Sequence, residues 1–277
     1  MSVTAEKIRT ANQDTNSKED CEKRISLKHK LPQFSWSWLS LPSVFIVWVI
    51  VASQFPSYIL PQAWEVADEG YQWIMNGTIW PHLGHSFIEE IGGFGAAIIC
   101  SVLFGFLAGF FKGFREYIVP LNGLFMSIPP IAWAPLMLII FGIGYTTIIV
   151  VIFISAVNPM ILTIMEGVLQ IQGQEVRAAR VLGARRWQLF LYVYLPASLP
   201  FVTAALRIGF SQAWRALVAA EMIGASYGLG WMVQTGGEIG NSRQVLLGIV
   251  LIGLFSYLFE RLLFRQIEKR YEVWRLA

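Results

Sequence analysis

Long apolar stretches alternate with short polar ones along this chain. Six of them approach the roughly 20 residues that a helix needs to cross a bilayer: 39–59, 86–111, 118–142, 146–166, 197–223 and 244–264. Inside lipid every backbone N–H and C=O must be paired within its own segment, so each stretch predicts a helix. The expected fold class is an all-α membrane protein with about six transmembrane helices. Residues 1–38 form a polar tail and an interfacial segment, 39–264 the membrane domain, and 265–277 a C-terminal tail.

The polar stretches differ in charge. Residues 1–38, 112–117, 174–196 and the segment from Arg261 onward hold eighteen of the 21 Lys and Arg, while 60–85 holds none. By the positive-inside rule both termini and the 174–196 loop are cytoplasmic and 60–85 lies outside. Composition agrees: 55% hydrophobic and 14% charged residues, with a mean hydropathy of +0.55, exclude an ordinary soluble domain. The net charge of +3 follows the topology, and no nucleic-acid-binding pattern accompanies it. Cys21 lies in the tail and Cys100 in a span, so neither a disulfide nor zinc spacing is expected. His82 and His85 have no ligand cluster beside them, so no metal site is expected. The polar first 38 residues do not read as a cleavable signal peptide.

Several spans are irregular. The second pairs Gly105 with Gly109 and Gly92 with Ala96 at intervals of four, which lets helices approach closely and predicts a place inside the bundle. Glu89 and Glu90 are expected at its outer end as solvated charges. Before it, 60–85 mixes tryptophans with Glu65, Asp68 and Glu69, the pattern of a short helix on the membrane surface. The third span, PLNGLFMSIPPIAWAPLMLIIFGIG, cannot run as one helix through Pro129 and Pro130. A kinked helix accounts for this, as does a broken helix lining a pathway, with Trp133 beside the break; the second is favoured. Asn158-Pro159 reads as a further local break. The fifth span carries Arg207, Ser211, Gln212, Arg215 and Glu221. A charge at mid-bilayer costs about 3 kcal/mol, so such groups face a bundle interior or water. Ser211 and Arg215 share one face. Arg215 either borders a translocation path or forms a buried ion pair, with Glu221 or with a neighbouring helix; both readings stand. Arg207 can reach the inner headgroups. The glycine-rich 224–243 stretch contains Gly-Leu-Gly without the strand and lysine of a nucleotide loop, and predicts a turn and re-entrant loop.

The stretch QEVRAARVLGARRWQLFLYVYLP (174–196) reads as two short helices. The first ends at Gly183, where a left-handed backbone is easiest for glycine. The second begins near Ala184 and is expected to stop or bend near Leu195, because the residue before Pro196 disfavours helix. It is either a basic loop that only fixes topology or a docking helix whose Ala178 and Ala179 admit a close partner.

The residues Ala178-Ala179, three residues, Gly183, nine residues, Val193, and then Leu195-Pro196 resemble the cytoplasmic loop of bacterial ABC-importer permeases. Arg177 stands where that motif carries glutamate, and Glu175 lies two positions early. The segments 128–144, 206–225 and 228–238 are similar to the nitrate, sulfonate, taurine and bicarbonate permeases, with taurine or alkanesulfonate permeases nearest in pattern. The resemblance implies a type I ABC importer permease fold in the bacterial inner membrane. It implies a multi-pass transport subunit that is not itself an enzyme and that carries a small anion by alternating access. Its partners would be a second permease copy, two cytoplasmic ATPase subunits and an extracytoplasmic substrate-binding protein. This chain would bind no cofactor, ATP and Mg being held by the ATPases. Coupling falls by resemblance on the 167–196 loop, at Glu175, Arg177, Ala178, Ala179, Arg180, Gly183, Arg185 and Pro196. The pathway falls on Pro129, Pro130, Trp133, Ser211, Gln212, Arg215 and Glu221. A secondary transporter or a membrane scaffold without transport are the competing classes.

Overall fold

The computed structural model describes residues 37–171 and 173–264. The N-terminal tail with Cys21, most of the interfacial segment and the 265–277 tail lie outside the described residues. The described residues are helical, with no strand among them.

The chain divides after Val51 into two units. The described part of the first lies within helix α1 (Ser37–Ala52), apolar and 16 residues long. At 1.5 Å per residue it is shorter than the hydrocarbon thickness of a bilayer. The stretch expected at 39–59 is therefore helical only to Ala52.

The second unit begins with α2 (Ala63–Met75) and α3 (Ile79–Phe110). It continues with α4 (Lys112–Ser127), α5 (Pro130–Phe141) and α6 (Tyr145–Gln170), then the short α7 (Gln174–Val181) and α8 (Arg186–Leu189). A π-helical turn (Phe190–Tyr194) leads into α9 (Leu195–Gly224), followed by α10 (Leu229–Glu238) and α11 (Ser242–Phe259). Four described helices are long and apolar enough to cross a membrane: Ile79–Phe110, Tyr145–Gln170, the continuous Trp187–Gly224 and Ser242–Leu262. The pair α4 and α5, bent by 91°, makes a fifth if taken as one span.

Helix α6 is the centre. Its Ile148, Ile152, Met160, Ile164 and Val168 are buried, packed between α3 and α9. Small residues make this possible, as the interval of four in the second span predicts. A β-carbon added at Gly105 of α3 would lie 2.8 Å from Cβ of Ile164, and one at Gly109 would lie 2.6 Å from Val168. Gly105→Ala must therefore force α3 and α6 apart. The expected cost is about 1–3 kcal/mol, read as a lower unfolding temperature in detergent; an unchanged temperature would show that the contact yields freely.

Two local expectations are corrected. Asn158-Pro159 does not break α6, which runs through both residues. Asn158 Nδ2 donates to the Ile154 carbonyl at 2.9 Å, and packing on both flanks holds the turn whose backbone bond Pro159 removes. Glu89 and Glu90 are not solvated, being only 2% and 4% exposed. Helix α3 starts at Ile79 and not near residue 86, so both glutamates lie about 15 Å along the helix. They fall on the same inward face as His82, Ser86 and Gly93, beside Glu221. The segment expected outside holds α2, whose Gly70 faces Leu247 of α11, while Glu65 pairs with Arg243 at 3.6 Å.

Candidate functional site

Helices α7 and α8 form the expected pair, and its hinge is a Schellman motif. Gly183 takes φ +81°. Its N–H donates to the Arg180 carbonyl, and the Ala184 N–H donates to the Ala179 carbonyl, each at 3.0 Å. These two bonds satisfy carbonyls left over at the end of α7. The Arg185 N–H then donates to Oε1 of Gln188 at 2.8 Å, which caps the start of α8. Val176 and Leu189 anchor the pair inward, while Val181 and Leu182 are 86% and 87% exposed. Arg177, Ala178, Arg180 and Arg185 are exposed as well; the side chain of Glu175 lies outside the described residues. An uncovered face with two bare aliphatic residues, an exposed alanine and three arginines suits a protein partner.

Of the stop or bend expected near Leu195, the stop does not occur. The helix changes to π-helical pitch over Phe190–Tyr194, so the Leu195 N–H reaches back to the Phe190 carbonyl. That wider turn makes room for Pro196, which has no N–H to give. Exposed Pro196 thus sits inside one helix running from Trp187 to Gly224. An aromatic cluster ties its base to α3: Tyr194 meets Phe110 edge-on at 4.8 Å, and Phe190 meets Phe106 at 6.1 Å. The α7–α8 pair is thus joined to α9 through the chain and to α3 through these rings.

The second feature is the break between α4 and α5. Pro129 has an extended backbone (ψ 137°) and caps α5, with Pro130 at its first position. A cavity of about 80 Å³ opens beside the break, lined by Phe125, Pro130, Trp133, Ser155, Asn158 and Gln212 among others. The Trp133 ring stacks on Phe125 with centroids 5.7 Å apart. Ser155 Oγ donates to the Gln212 carbonyl at 3.2 Å, and Asn122 Nδ2 donates to the Asn158 carbonyl at 3.4 Å. The structure thus brings Pro130, Trp133 and Gln212 together. Pro129 forms the bend itself. Ser211 and Arg215 lie on the exposed face of α9, where the Arg215 guanidinium donates to Ser211 Oγ at 2.6 Å and to the Ser211 carbonyl at 2.9 Å.

Glu221 belongs elsewhere, and it is not the partner of Arg215. It is fully buried. Its Oε1 accepts from Ser86 Oγ at 2.5 Å and its Oε2 from the Gly230 N–H at 2.6 Å. Ser86 Oγ also accepts from the Leu229 N–H at 2.9 Å, and His82 Nδ1 accepts from the Gly228 N–H at 3.2 Å. Three consecutive free N–H groups at the start of α10 are thus met by α3 and α9. The glycine-rich stretch expected as a re-entrant loop is this turn, followed by helix α10. Sequence reading missed Ser155, Asn122, Ser86 and His82 as participants; the signal available was polar residues at intervals within otherwise apolar runs.

Residues 101–273 match the family described as the binding-protein-dependent transport system inner membrane component. The chain belongs to this family. It is similar to the taurine transport system permease protein TauC of Escherichia coli, with 34% identity over 87% of this chain and 94% of that protein. The nitrate import permease protein NrtB of Synechococcus elongatus is 30% identical, covering 84% of this chain and 88% of that one. A solved chain of the MetNI methionine ABC transporter, in an inward-facing conformation, superposes with a TM-score of 0.56 at 24% identity, over 72% of this chain and 98% of that one. The fold is therefore that of an ABC importer permease, and the family is one of transport subunits.

Proposed function

We propose that this permease forms the translocation pathway of an ATP-driven importer for a small oxyanion of the taurine and sulfonate, nitrate or bicarbonate class. It would act in a bacterial cytoplasmic membrane with both termini inside. The carrying observation is the bare α7–α8 face, whose second helix runs on into α9. A partner that grips Val181 and Leu182 gains leverage on a 38-residue helix that borders the cavity at the α4–α5 break. In this reading two copies of the permease pair, and each offers its 174–196 segment to a cytoplasmic ATPase subunit that holds ATP and Mg. Closure of the ATPase pair draws the α7–α8 segments together and turns the pathway from inward-facing to outward-facing, where an external binding protein delivers substrate. Discrete rearrangements of packed helices suit such alternating access. The names of the relatives, taurine and nitrate transport among them, support the substrate class, as does Arg215 on the exposed face of α9, since cationic groups concentrate anions.

The test is import into proteoliposomes. Permease reconstituted with its ATPase and binding protein is expected to import labelled taurine or nitrate only when ATP is present. Uptake by the permease alone, driven by an ion gradient, would refute the reading and favour a secondary transporter.

A further inference from the structure

Helix α9 keeps one face open along its length. Ala204, Ile208, Ser211, Arg215 and Met222 are exposed and recur at the helical interval, so they share one stripe. Trp214, Ala216, Leu217 and Ala220 beside it are buried. Two guanidinium groups lie on or next to this stripe, and they are held differently. Arg207 is paired with a carboxylate, Glu260, at 2.8 Å. Arg215 is held by neutral oxygens of its own helix: Nε donates to the Ser211 carbonyl at 2.9 Å and Nη2 to Ser211 Oγ at 2.6 Å. Among the described residues no carboxylate pairs with it. Both bonds lie on one side of the guanidinium. They fix its plane and leave its outer edge, Nη1 with the second Nη2 proton, open. Arg215 stands about 14 Å from the Gly224 end of α9 by helical rise, close to the middle of a hydrocarbon core roughly 30 Å thick. A basic side chain facing lipid turns its head to the nearer boundary. Arg215 reaches the other way, one turn back to Ser211. An exposed cation at that depth, without a counter-charge, belongs on a face that meets water. Gln212, next along the helix, lines the cavity at the α4–α5 break, so this face runs beside the bend.

We propose that Arg215 binds the transported ion: the open edge of its guanidinium takes two oxygens of a nitrate or sulfonate group, while Ser211 holds the fork in place. It rests on the reading of the chain as an oxyanion importer and adds which side chain receives the ion. A planar guanidinium offers two parallel N–H donors that match two oxygens of one oxyanion, which an ammonium does not. Nitrate and a sulfonate end present the same edge of equivalent oxygens, so one fork serves both. A carboxylate in the place of Ser211 would cancel the charge, as Glu260 does for Arg207. A hydroxyl and a carbonyl orient the group and leave its charge for the ion. That charge draws the anion, and a wet face keeps the attraction moderate. The ion is thus admitted and can leave again, as a pathway site requires. Ser211 acts through Arg215 and is a positioning residue.

The experiment uses the permease complex with its ATPase and binding protein in proteoliposomes. Initial import of nitrate and of taurine is measured separately, each together with the ATP hydrolysis that the loaded binding protein stimulates. Arg215→Gln is expected to lower import of the transported anion at least about tenfold, the effect of losing a hydrogen bond to a charged group, while ATP hydrolysis keeps its wild-type rate. Arg215→Lys keeps the charge but loses the fork, and import should again fall about tenfold. Ser211→Ala should lose about fivefold, as for one neutral hydrogen bond, and Ser211→Thr should restore import. The control is Lys112→Gln, which removes an exposed charge elsewhere and should import as wild type. Undiminished import in Arg215→Gln overturns the site, and so does an equal fall in Lys112→Gln. Wild-type import in Arg215→Lys overturns it too, because charge alone would then suffice. A parallel loss of import and ATP hydrolysis in Arg215→Gln overturns it by making Arg215 structural. Full import in Ser211→Ala overturns the positioning role. A wild-type complex that imports neither anion with ATP overturns the transport reading, and the site with it.

Discussion

Replacing Val181 and Leu182 together by aspartate is expected to abolish ATPase association while the membrane fold persists. Both side chains are almost fully exposed, so their replacement removes no packing within this chain. Exposed positions of this kind change stability by about 0.5 kcal/mol or less. The hinge beside them is untouched, because the Schellman bonds use backbone groups of Ala179, Arg180, Gly183 and Ala184. Burying an unpaired carboxylate in an apolar contact costs several kcal/mol, well beyond the loss of the aliphatic side chain itself. Two carboxylates placed in such a contact should therefore weaken association by at least about a hundredfold. Co-purification of the ATPase with tagged permease, alongside the permease's own melting temperature, reads both quantities at once. Loss of the ATPase at an unchanged melting temperature supports docking. Retained ATPase would reduce the 174–196 segment to a loop that only sets topology. Ala178→Glu with Ala179→Glu probes the same face by bulk, and Gly183→Pro probes the hinge by its backbone, since proline cannot adopt φ +81°.

Glu221→Ala is expected to be the most destabilising single change at the end of the bundle where α10 begins. Its carboxylate joins α9 to Ser86 of α3 and to the start of α10. Alanine there leaves the Gly230 N–H and the Ser86 hydroxyl without acceptors in a dry interior and opens a cavity. Each unpaired buried group costs about 1–3 kcal/mol, so a loss of about 3 kcal/mol or more is expected. For a domain of this size that lowers the melting temperature by roughly 10 °C. The glycines around the carboxylate report the same geometry. Gly228 has φ +127°, and a β-carbon there or at Gly230 would run into Glu221, so Gly228→Ala should approach the same loss. Glu116→Ala is the reference, because its pair with Lys112 is exposed at 3.7 Å and surface pairs contribute little. Melting curves in detergent decide the matter. A Glu221→Ala shift no larger than that of Glu116→Ala would mean that the α3, α9 and α10 contact does not carry that end of the bundle.

These two effects differ in how far they could be read before any fold was known. The 174–196 segment is local: Gly183 ends α7 through bonds within five residues, and the alternation of arginine with alanine shows an uncovered face within two turns. The break at Pro129-Pro130 is local too, because proline removes its own N–H wherever it stands. Pro159 and Pro196 obey the same chemistry yet end nothing. Asn158 and packing hold one turn, and a π-helical turn absorbs the other. Proline thus signalled a backbone bond lost, and its surroundings decided whether the helix stopped.

By itself the sequence determined the all-α membrane class, the Gly183 hinge, the broken third span and the close approach of α3 through Gly105 and Gly109. Each rests on periodicity or backbone chemistry within a few residues. The tertiary structure alone decided that Glu89 and Glu90 turn inward, that Glu221 caps α10 and leaves Arg215 unpaired with it, and that Trp133 and Gln212 face one cavity. Ser86 and Glu221 are 135 positions apart. Only the docking of α3, α6, α9 and α10 brings such residues within hydrogen-bond reach, and no local pattern encodes that distance.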